Sequence, residues 1–167
     1  GIENIQLIHF AHPNGLQETG KCIDVRIYGY SGYALFENGD LWTWGSNNYG
    51  QLGHGNTTDT FLPAWASDNV AEVYTSHTNT GREASWHSRL VVKKNDGTIW
   101  ACGYNGFNAL GVSGLPANQT TLTQLAWAGT NPKYVANLGN YRGCIIVQKS
   151  DNSIWVAGDN TYGQLGD

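Results

Sequence analysis

The sequence predicts an all-β fold, and the main observation is a phrase of 13 residues that occurs three times. The copies span residues 41–53, 99–111 and 154–166. Their first glycines, Gly45, Gly103 and Gly158, lie 58 and 55 residues apart. Recurrence at this interval indicates repeated structural units, each longer than a single hairpin.

Each copy has the pattern of a strand that leads into a structured turn. An alternating apolar stretch ends at a glycine, and an asparagine, an aromatic residue, a leucine and a closing glycine follow. Glycine adopts positive φ without a steric cost and asparagine tolerates it next best. The positions predicted to shape the turns are Gly45, Asn47, Gly50, Leu52, Gly53, Gly103, Asn105, Leu110, Gly111, Gly158, Asn160, Gly163, Leu165 and Gly166.

Further apolar stretches surround each copy. A polar turn joins each copy to a preceding strand, which is a hairpin signal. These preceding strands are predicted at 32–36, 89–93 and 144–148. A third stretch precedes each hairpin, at 22–27, 69–74 and 132–136, and a fourth follows two of the copies, at 61–65 and 123–127. Four short antiparallel strands per unit describe the blade of a β-propeller.

The repeated phrase resembles the repeats of the regulator of chromosome condensation family. The match is closest at 44–53 and 158–166, which contain the pattern Asn-x-x-Gly-Gln-Leu-Gly, and Pro63 stands at the place of a later proline. The middle copy departs from the pattern, because Asn108 and Ala109 replace Gly-Gln. The resemblance covers roughly residues 20–167. It implies a ring of about seven blades, of which this chain would supply about three.

The domain organisation follows from this repeat assignment. We expect residues 1–20 to be the end of a preceding blade or a linker, and residues 21–167 to form three propeller repeats with the last one truncated. A blade buries both of its faces only against neighbouring blades, and uncovered sheets are a liability. We therefore expect further blades from the same chain, as part of a longer polypeptide, or from neighbouring subunits.

Composition narrows the class of partner. The formal net charge is −4, and the nine lysines and arginines are scattered along the chain, so we predict no nucleic-acid binding. Charged residues make up 13% of the sequence, about half of the usual roughly 25%. An uncharged polar surface is typical of secreted, cell-surface and virion fibre proteins. No apolar run approaches the about 18 residues of a spanning helix, so no membrane insertion is predicted.

The sequence contains few candidates for chemistry. His9 and His12 are spaced like a metal pair, but no cysteine, aspartate or third histidine follows at a useful spacing. His87 and Ser88 are adjacent in sequence, which does not bring their side chains face to face as nucleophile and base. We therefore predict no metal, no cofactor and no catalytic activity.

Three cysteines occur without any Cys-x-x-Cys spacing. They are Cys22, Cys102 and Cys144. The simplest interpretation is that they are small buried thiols. The alternative is a disulfide bond, for which the sequence does not indicate which two cysteines would pair.

The most distinctive departure from the repeat is an insertion at residues 75–87. Loops on a rigid scaffold carry binding more often than strands do, and a tryptophan beside charged residues is typical of interface hot spots. The candidate partner-binding residues are His77, Arg82, Glu83, Trp86 and His87. A second insertion, at residues 112–120, is expected at the same rim.

These observations predict a non-catalytic recognition or structural propeller module. Its expected setting is an extracellular or virion-surface protein, such as a tail fibre or adhesin, that binds a protein or a glycan through rim loops. Aromatic rings and amides would suit a sugar, because rings stack on its apolar face and amides bind its hydroxyls. One alternative is a secreted propeller that inhibits or regulates an enzyme. Another is an intracellular exchange factor or scaffold.

Overall fold

A computed structural model describes residues 7–18, 20–75, 88–138 and 143–166 of the chain. Over these residues the fold is all-β, as predicted, with three antiparallel sheets that follow one another along the chain. The first sheet contains β1 (Cys22–Tyr28), β2 (Ser31–Phe36), β3 (Leu41–Gly45) and β4 (Thr60–Ser67). Its strands neighbour one another in sequence order.

The second and third sheets repeat this arrangement. The second contains β5 (Val70–Thr75), β6 (Arg89–Lys94), β7 (Ile99–Tyr104) and β8 (Asn118–Gln124). The third, within the described residues, contains β9 (Tyr134–Asn137), β10 (Cys144–Gln148) and β11 (Ile154–Gly158). Two short 3₁₀ helices occur at Gly106–Asn108 and Ala126–Ala128. No helix in this part of the chain is long and apolar enough to cross a membrane.

The fourth strand of the second sheet differs from the sequence-based expectation. It ends at Gln124, whereas the strand was expected at residues 123–127. Trp127 lies in the second 3₁₀ helix, and its indole N–H donates to the Leu110 carbonyl oxygen at 2.8 Å. The Trp127 side chain therefore packs against the repeat turn and does not belong to the strand.

The core lies between the sheets. Leu90 and Val92 of β6 pack with Tyr33 of the first sheet, whereas Val91, between them, packs with Ile145 of the third sheet. Side chains alternate between the two faces of a strand. A strand placed between two sheets is therefore apolar at consecutive positions, which explains the unbroken apolar run in β6.

A buried polar clamp joins the second sheet to the third. The fully buried Arg89 donates from Nη2 to the Leu138 carbonyl at 2.7 Å, and Asn137 Nδ2 donates to the carbonyls of Tyr74 and Arg89 at 3.0 and 3.1 Å. Burial lowers the pKa of Arg89 to about 10, because desolvation disfavours the cation. The guanidinium thus stays charged at neutral pH.

The cysteines occupy three different environments, and all three are free. The expectation of a buried thiol is correct for Cys102 and wrong for Cys22, which is exposed, while Cys144 is half-buried. Burial raises the pKa of the Cys102 thiol, and partial burial raises the pKa of the Cys144 thiol. Only the thiolate is a good nucleophile, so reactivity should follow exposure.

Alkylation of the native protein at pH 8 is therefore expected to label Cys22 first, Cys144 more slowly and Cys102 only after unfolding. Peptide mapping by mass spectrometry after timed exposure to iodoacetamide measures the three rates. Labelling in urea, where all three thiols are accessible, is the control. Native labelling of Cys102 as fast as that of Cys22 would contradict the buried position.

Candidate functional site

The asparagine of each repeated phrase holds its turn through the same hydrogen bond. The side-chain Oδ1 accepts the backbone N–H of the leucine five residues later. This bond joins Asn47 to Leu52, Asn105 to Leu110 and Asn160 to Leu165, each at 2.9 Å. The fixed spacing of asparagine and leucine in the sequence is explained by this contact.

The first turn is held by several hydrogen bonds from one buried asparagine. Asn47 is buried, and its Nδ2 donates to the carbonyls of Asn56 and Thr58 at 2.9 and 3.1 Å. Its backbone N–H donates to Asp59 Oδ1 at 2.7 Å. The side chain and backbone N–H of Asn47 thus hold several points of the connection between β3 and β4 together.

The first glycine of each copy lies against the backbone of the preceding connection. The φ angles of Gly45, Gly103 and Gly158 are +97°, +106° and +147°. A Cβ atom would lie 2.2 Å from the Tyr30 carbonyl at Gly45 and 2.4 Å from the Ser88 carbonyl at Gly103. These positions therefore require glycine for both conformation and space.

The later turn positions also take left-handed conformations. The φ angles of Gly50, Gly53, Gly111, Gly163 and Gly166 are +80°, +78°, +66°, +73° and +91°. In the middle copy, Phe107 and Asn108 take φ of +58° and +53° within a 3₁₀ helix. The middle copy, in which Asn108 and Ala109 replace Gly-Gln, thus forms a turn of different local conformation.

Each of the first two turns packs against the sheet that follows. In the first turn, Tyr49 contacts Tyr104 edge-on with ring centroids 5.5 Å apart, and Gln51 is buried. In the second, a Cβ on Gly111 would lie 2.8 Å from Ala157 of β11. The equivalent glutamine of the third turn, Gln164, is exposed. The repeat turns therefore form the seams between sheets, and the third seam has no covering sheet among the described residues.

The first sheet has a corresponding face that is uncovered at β1, although Phe10 packs over Phe36 and Trp42 farther along it. Val25, Val73 and Val135 share one register position, opposite Ala34, Val92 and Val147. Val73 and Val135 are 8% and 7% exposed because each packs on the preceding sheet, whereas Val25 is 58% exposed. The outer face of β1 is thus built like the faces that the other two sheets bury.

The edge of the sheets that carries the repeat turns also carries a cleft, and we call this edge the loop edge. Tyr30, between β1 and β2, is 71% exposed, and Phe61, at the start of β4, is 92% exposed. With Gly45, Ser46 and Asp59 they line a cleft of about 390 Å³. Two exposed aromatic rings beside a carboxylate form a surface suited to an apolar and basic ligand.

The five candidate partner-binding residues from the sequence lie outside the described residues. They are His77, Arg82, Glu83, Trp86 and His87. The strand ends on either side of residues 76–87, Thr75 and Arg89, lie at the loop edge. The second predicted insertion runs from this edge into the start of β8. The aromatic pair Tyr30 and Phe61 was missed, because Tyr30 lies in a short connection and Phe61 in a predicted strand, and neither belongs to an insertion.

Sequence reasoning also missed a cluster at the opposite edge of the first sheet. His12 Nε2 lies 3.2 Å from Glu18 Oε2 and 3.5 Å from Asp40 Oδ2. His9, which is spaced like a metal partner of His12 in the sequence, is exposed. Asp40 comes from the turn between β2 and β3, so no local spacing predicts the cluster.

Successive antiparallel sheets that pack through repeated turns define the blades of a β-propeller. The family model "Regulator of chromosome condensation (RCC1) repeat" matches residues 38–70, and a second model of the same description matches residues 22–51. The chain belongs to the RCC1-type repeat family, as the resemblance implied.

Similar proteins are longer than this chain. Over 128 residues it is 28% identical to the Protein RCC2 homolog of Xenopus laevis, covering 77% of the chain and 23% of that protein. Over 126 residues it is 31% identical to the Secretion-regulating guanine nucleotide exchange factor of Mus musculus, covering 75% of the chain and 25% of that protein. The chain thus spans about a quarter of the length of these curated relatives.

A solved structure supports the fold. Prp20p from Saccharomyces cerevisiae matches with a TM-score of 0.64 at 17% sequence identity, over 87% of this chain and 35% of that one. The structure of Prp20p was described with its binding properties to Gsp1p and histones. At this identity the likeness shows the fold alone.

These relatives support a binding or regulatory module and correct one prediction. The expected location at an extracellular or virion surface is wrong, because the relatives and structural neighbours are nuclear or cytoplasmic proteins of the RCC1 family. The tail-fibre and adhesin interpretations likewise find no support among them. The relatives are regulators or exchange factors, not classical enzymes.

Proposed function

We propose that this chain is part of a non-catalytic regulatory propeller that binds a protein partner through its loop edge, in the class of exchange factors and scaffolds. The observation that carries the proposal is the cleft between Tyr30 and Phe61. Contiguous exposed apolar surface, such as two aromatic side chains lining one cleft, marks interaction sites, and aromatic residues are enriched among interface hot spots.

The charge of the site and of the chain favours a basic partner. Asp59 lines the same cleft as the two aromatic residues, and the chain carries a net charge of −4. Complementary charge speeds encounter and excludes acidic competitors. Prp20p, which shares the fold, has been studied for binding to proteins, Gsp1p and histones, which supports a protein partner.

The proposal includes further blades on both sides of the three described sheets. The exposed Val25 and the exposed Gln164 occupy positions that are buried where a neighbouring sheet is present. Residues 1–20 would then lead from a preceding blade or linker, and the last repeat would be completed by further chain or by a neighbouring subunit. Blades of this kind need neighbours for stability.

Double substitution of Tyr30 and Phe61 by serine is expected to lower partner capture at least about 30-fold, since a single aromatic hot spot already contributes about 2 kcal/mol or more. Quantitative mass spectrometry of proteins retained by the wild-type and variant chains measures the effect. Tyr134→Ser is the matched control, because Tyr134 is an exposed aromatic residue at the opposite edge. Equal capture by both variants would contradict a site at the loop edge.

Two further measurements separate the classes of function. Faster release of labelled nucleotide from a small GTPase, lost in the Tyr30/Phe61 variant, would support an exchange factor over a scaffold. A glycan-array signal that depends on the same residues would instead favour the glycan ligand considered from the sequence. Combined replacement of Arg82 and Trp86 by alanine tests whether the insertion contributes to the same surface.

A further inference from the structure

We propose that His12, Glu18 and Asp40 form a binding site for a divalent transition-metal ion of the zinc class. Their ligand atoms lie within 4.8 Å of one another. The His12 Nε2 atom is 3.2 Å from Glu18 Oε2 and 3.5 Å from Asp40 Oδ2. Metal–ligand bonds of about 2.0–2.2 Å in a tetrahedron place ligand atoms roughly 3.3–3.6 Å apart, so the two distances from His12 Nε2 are close to those of a tetrahedral site.

The site joins two parts of the chain that are not neighbours in the sheet. His12 and Glu18 belong to a small loop closed by an isolated bridge between Ala11 and Gln17 and by the His12 N–H to Leu16 carbonyl bond at 2.8 Å. Asp40 belongs to the β2–β3 turn. A bound ion would therefore fasten the segment before β1 to the first blade.

The two carboxylates are held by hydrogen-bond donors from outside the cluster. Glu18, whose side chain is 3% exposed, accepts the Gly20 N–H on Oε1 at 2.7 Å, which leaves Oε2 towards His12. Asp40 accepts Asn38 Nδ2 on Oδ2 at 2.8 Å and Trp65 Nε1 on Oδ1 at 3.2 Å. Donors that orient ligating carboxylates in this way are a regular part of metal sites.

A buried tryptophan provides a second, independent observation. Trp42 is fully buried, its indole N–H faces the Glu18 carboxylate, and this N–H makes no hydrogen bond of standard geometry among the described residues. The His12 ring lies edge-on to Trp42 with centroids 4.9 Å apart. The indole N–H is thus a further donor directed at the Glu18 carboxylate, and its lack of a partner of standard geometry fits a cluster that is completed by a bound water or ion.

The donor set selects the class of ion. Calcium and magnesium prefer oxygen ligands alone, whereas an imidazole nitrogen with carboxylates suits zinc and neighbouring transition metals. A cleft of about 380 Å³ adjoins His12, Asp40 and Trp65. In the proposed site, a water molecule from this cleft would take the fourth coordination position.

Calorimetric titration of the chelator-treated full chain with Zn²⁺ tests the site. One saturable ion per chain is expected, and His12→Gln and Asp40→Asn should each weaken binding by at least about 100-fold, more than the loss of an outer partner. Trp65→Phe, which removes only the N–H donor to Asp40, should weaken it about tenfold. His9→Gln is the matched control, because His9 is an exposed histidine in the same segment, and its affinity should be unchanged.

A spectroscopic readout separates metal binding from an ion pair between protonated His12 and the two carboxylates. Co²⁺ in a four-coordinate site should give an intense visible absorption band that disappears in Asp40→Asn, a variant whose folding is checked by circular dichroism. Absence of saturable Zn²⁺ binding would overturn the proposal and leave the ion pair. Equal weakening by His9→Gln and His12→Gln, or tighter binding of Ca²⁺ than of Zn²⁺, would also overturn it.

Discussion

Replacing Gly103 with alanine is expected to lower the free energy of unfolding by about 3–5 kcal/mol. The left-handed φ of +106° costs a non-glycine residue about 1–3 kcal/mol. The added Cβ would lie 2.4 Å from the Ser88 carbonyl and 2.9 Å from Arg89 Cα, and relieving such overpacking costs about 1–3 kcal/mol more. Because Arg89 carries the clamp to the third sheet, a shift there would also weaken the seam. Urea denaturation followed by tryptophan fluorescence measures the change.

Gly114→Ala separates the two costs in this prediction. Gly114 has φ of +81°, but no atom lies within 4 Å of an added Cβ. We expect a loss of only about 1 kcal/mol, at the low end of the range for a left-handed residue. If both variants were destabilised equally, the close approach to the Ser88 backbone would not be the reason for glycine at position 103.

Replacing Asn47 with alanine is expected to cost about 3 kcal/mol. The change leaves the buried Leu52 N–H without its partner and removes the donor to the part-buried carbonyl bonds of Asn56 and Thr58, and a buried unsatisfied group costs about 1–3 kcal/mol. The turn also packs on the second sheet, so its loosening should disturb the first seam. The midpoint of urea unfolding is the measurement.

Asn160→Ala is the matched control for Asn47→Ala. Asn160 makes the same bond to Leu165, but it is exposed, so water can replace the lost partner. We expect a cost below about 1 kcal/mol. A cost equal to that of Asn47 would show that burial of the turn against the next sheet does not decide its contribution.

The proposed sites lie at opposite edges of the first blade. The cleft of Tyr30 and Phe61 is at the loop edge, while Asp40 lies in the hairpin turn between β2 and β3. Substitutions at one should therefore leave the other unchanged, since mutations at separated sites without shared partners are usually additive. Metal binding and partner capture can then be tested independently in the same set of variants.

Much of the fold could be predicted because its determinants are local and repeated. The bond from Asn47 to Leu52 spans five residues, so the same letters recur wherever the same turn forms. Hairpin partners such as β2 and β3 are joined by short turns, so their antiparallel pairing could be predicted from their adjacency in the sequence. The strand containing residues 118–124 was placed too late in the sequence, because the apolar signal of Trp127 reflects a contact with Leu110 in the preceding turn.

The sequence by itself determined the repeat, the all-β blades and the glycine and asparagine positions of the turns, because these depend on backbone conformation and on hydrogen bonds between near neighbours. Only the tertiary structure decided which equivalent residues are buried, as with the exposed Val25 and the buried Val73, because burial depends on whether another sheet lies against the face. It also decided that His12, Glu18 and Asp40 meet. Their proximity requires the loop before β1 to fold onto the turn of the first hairpin, a contact that no local pattern encodes.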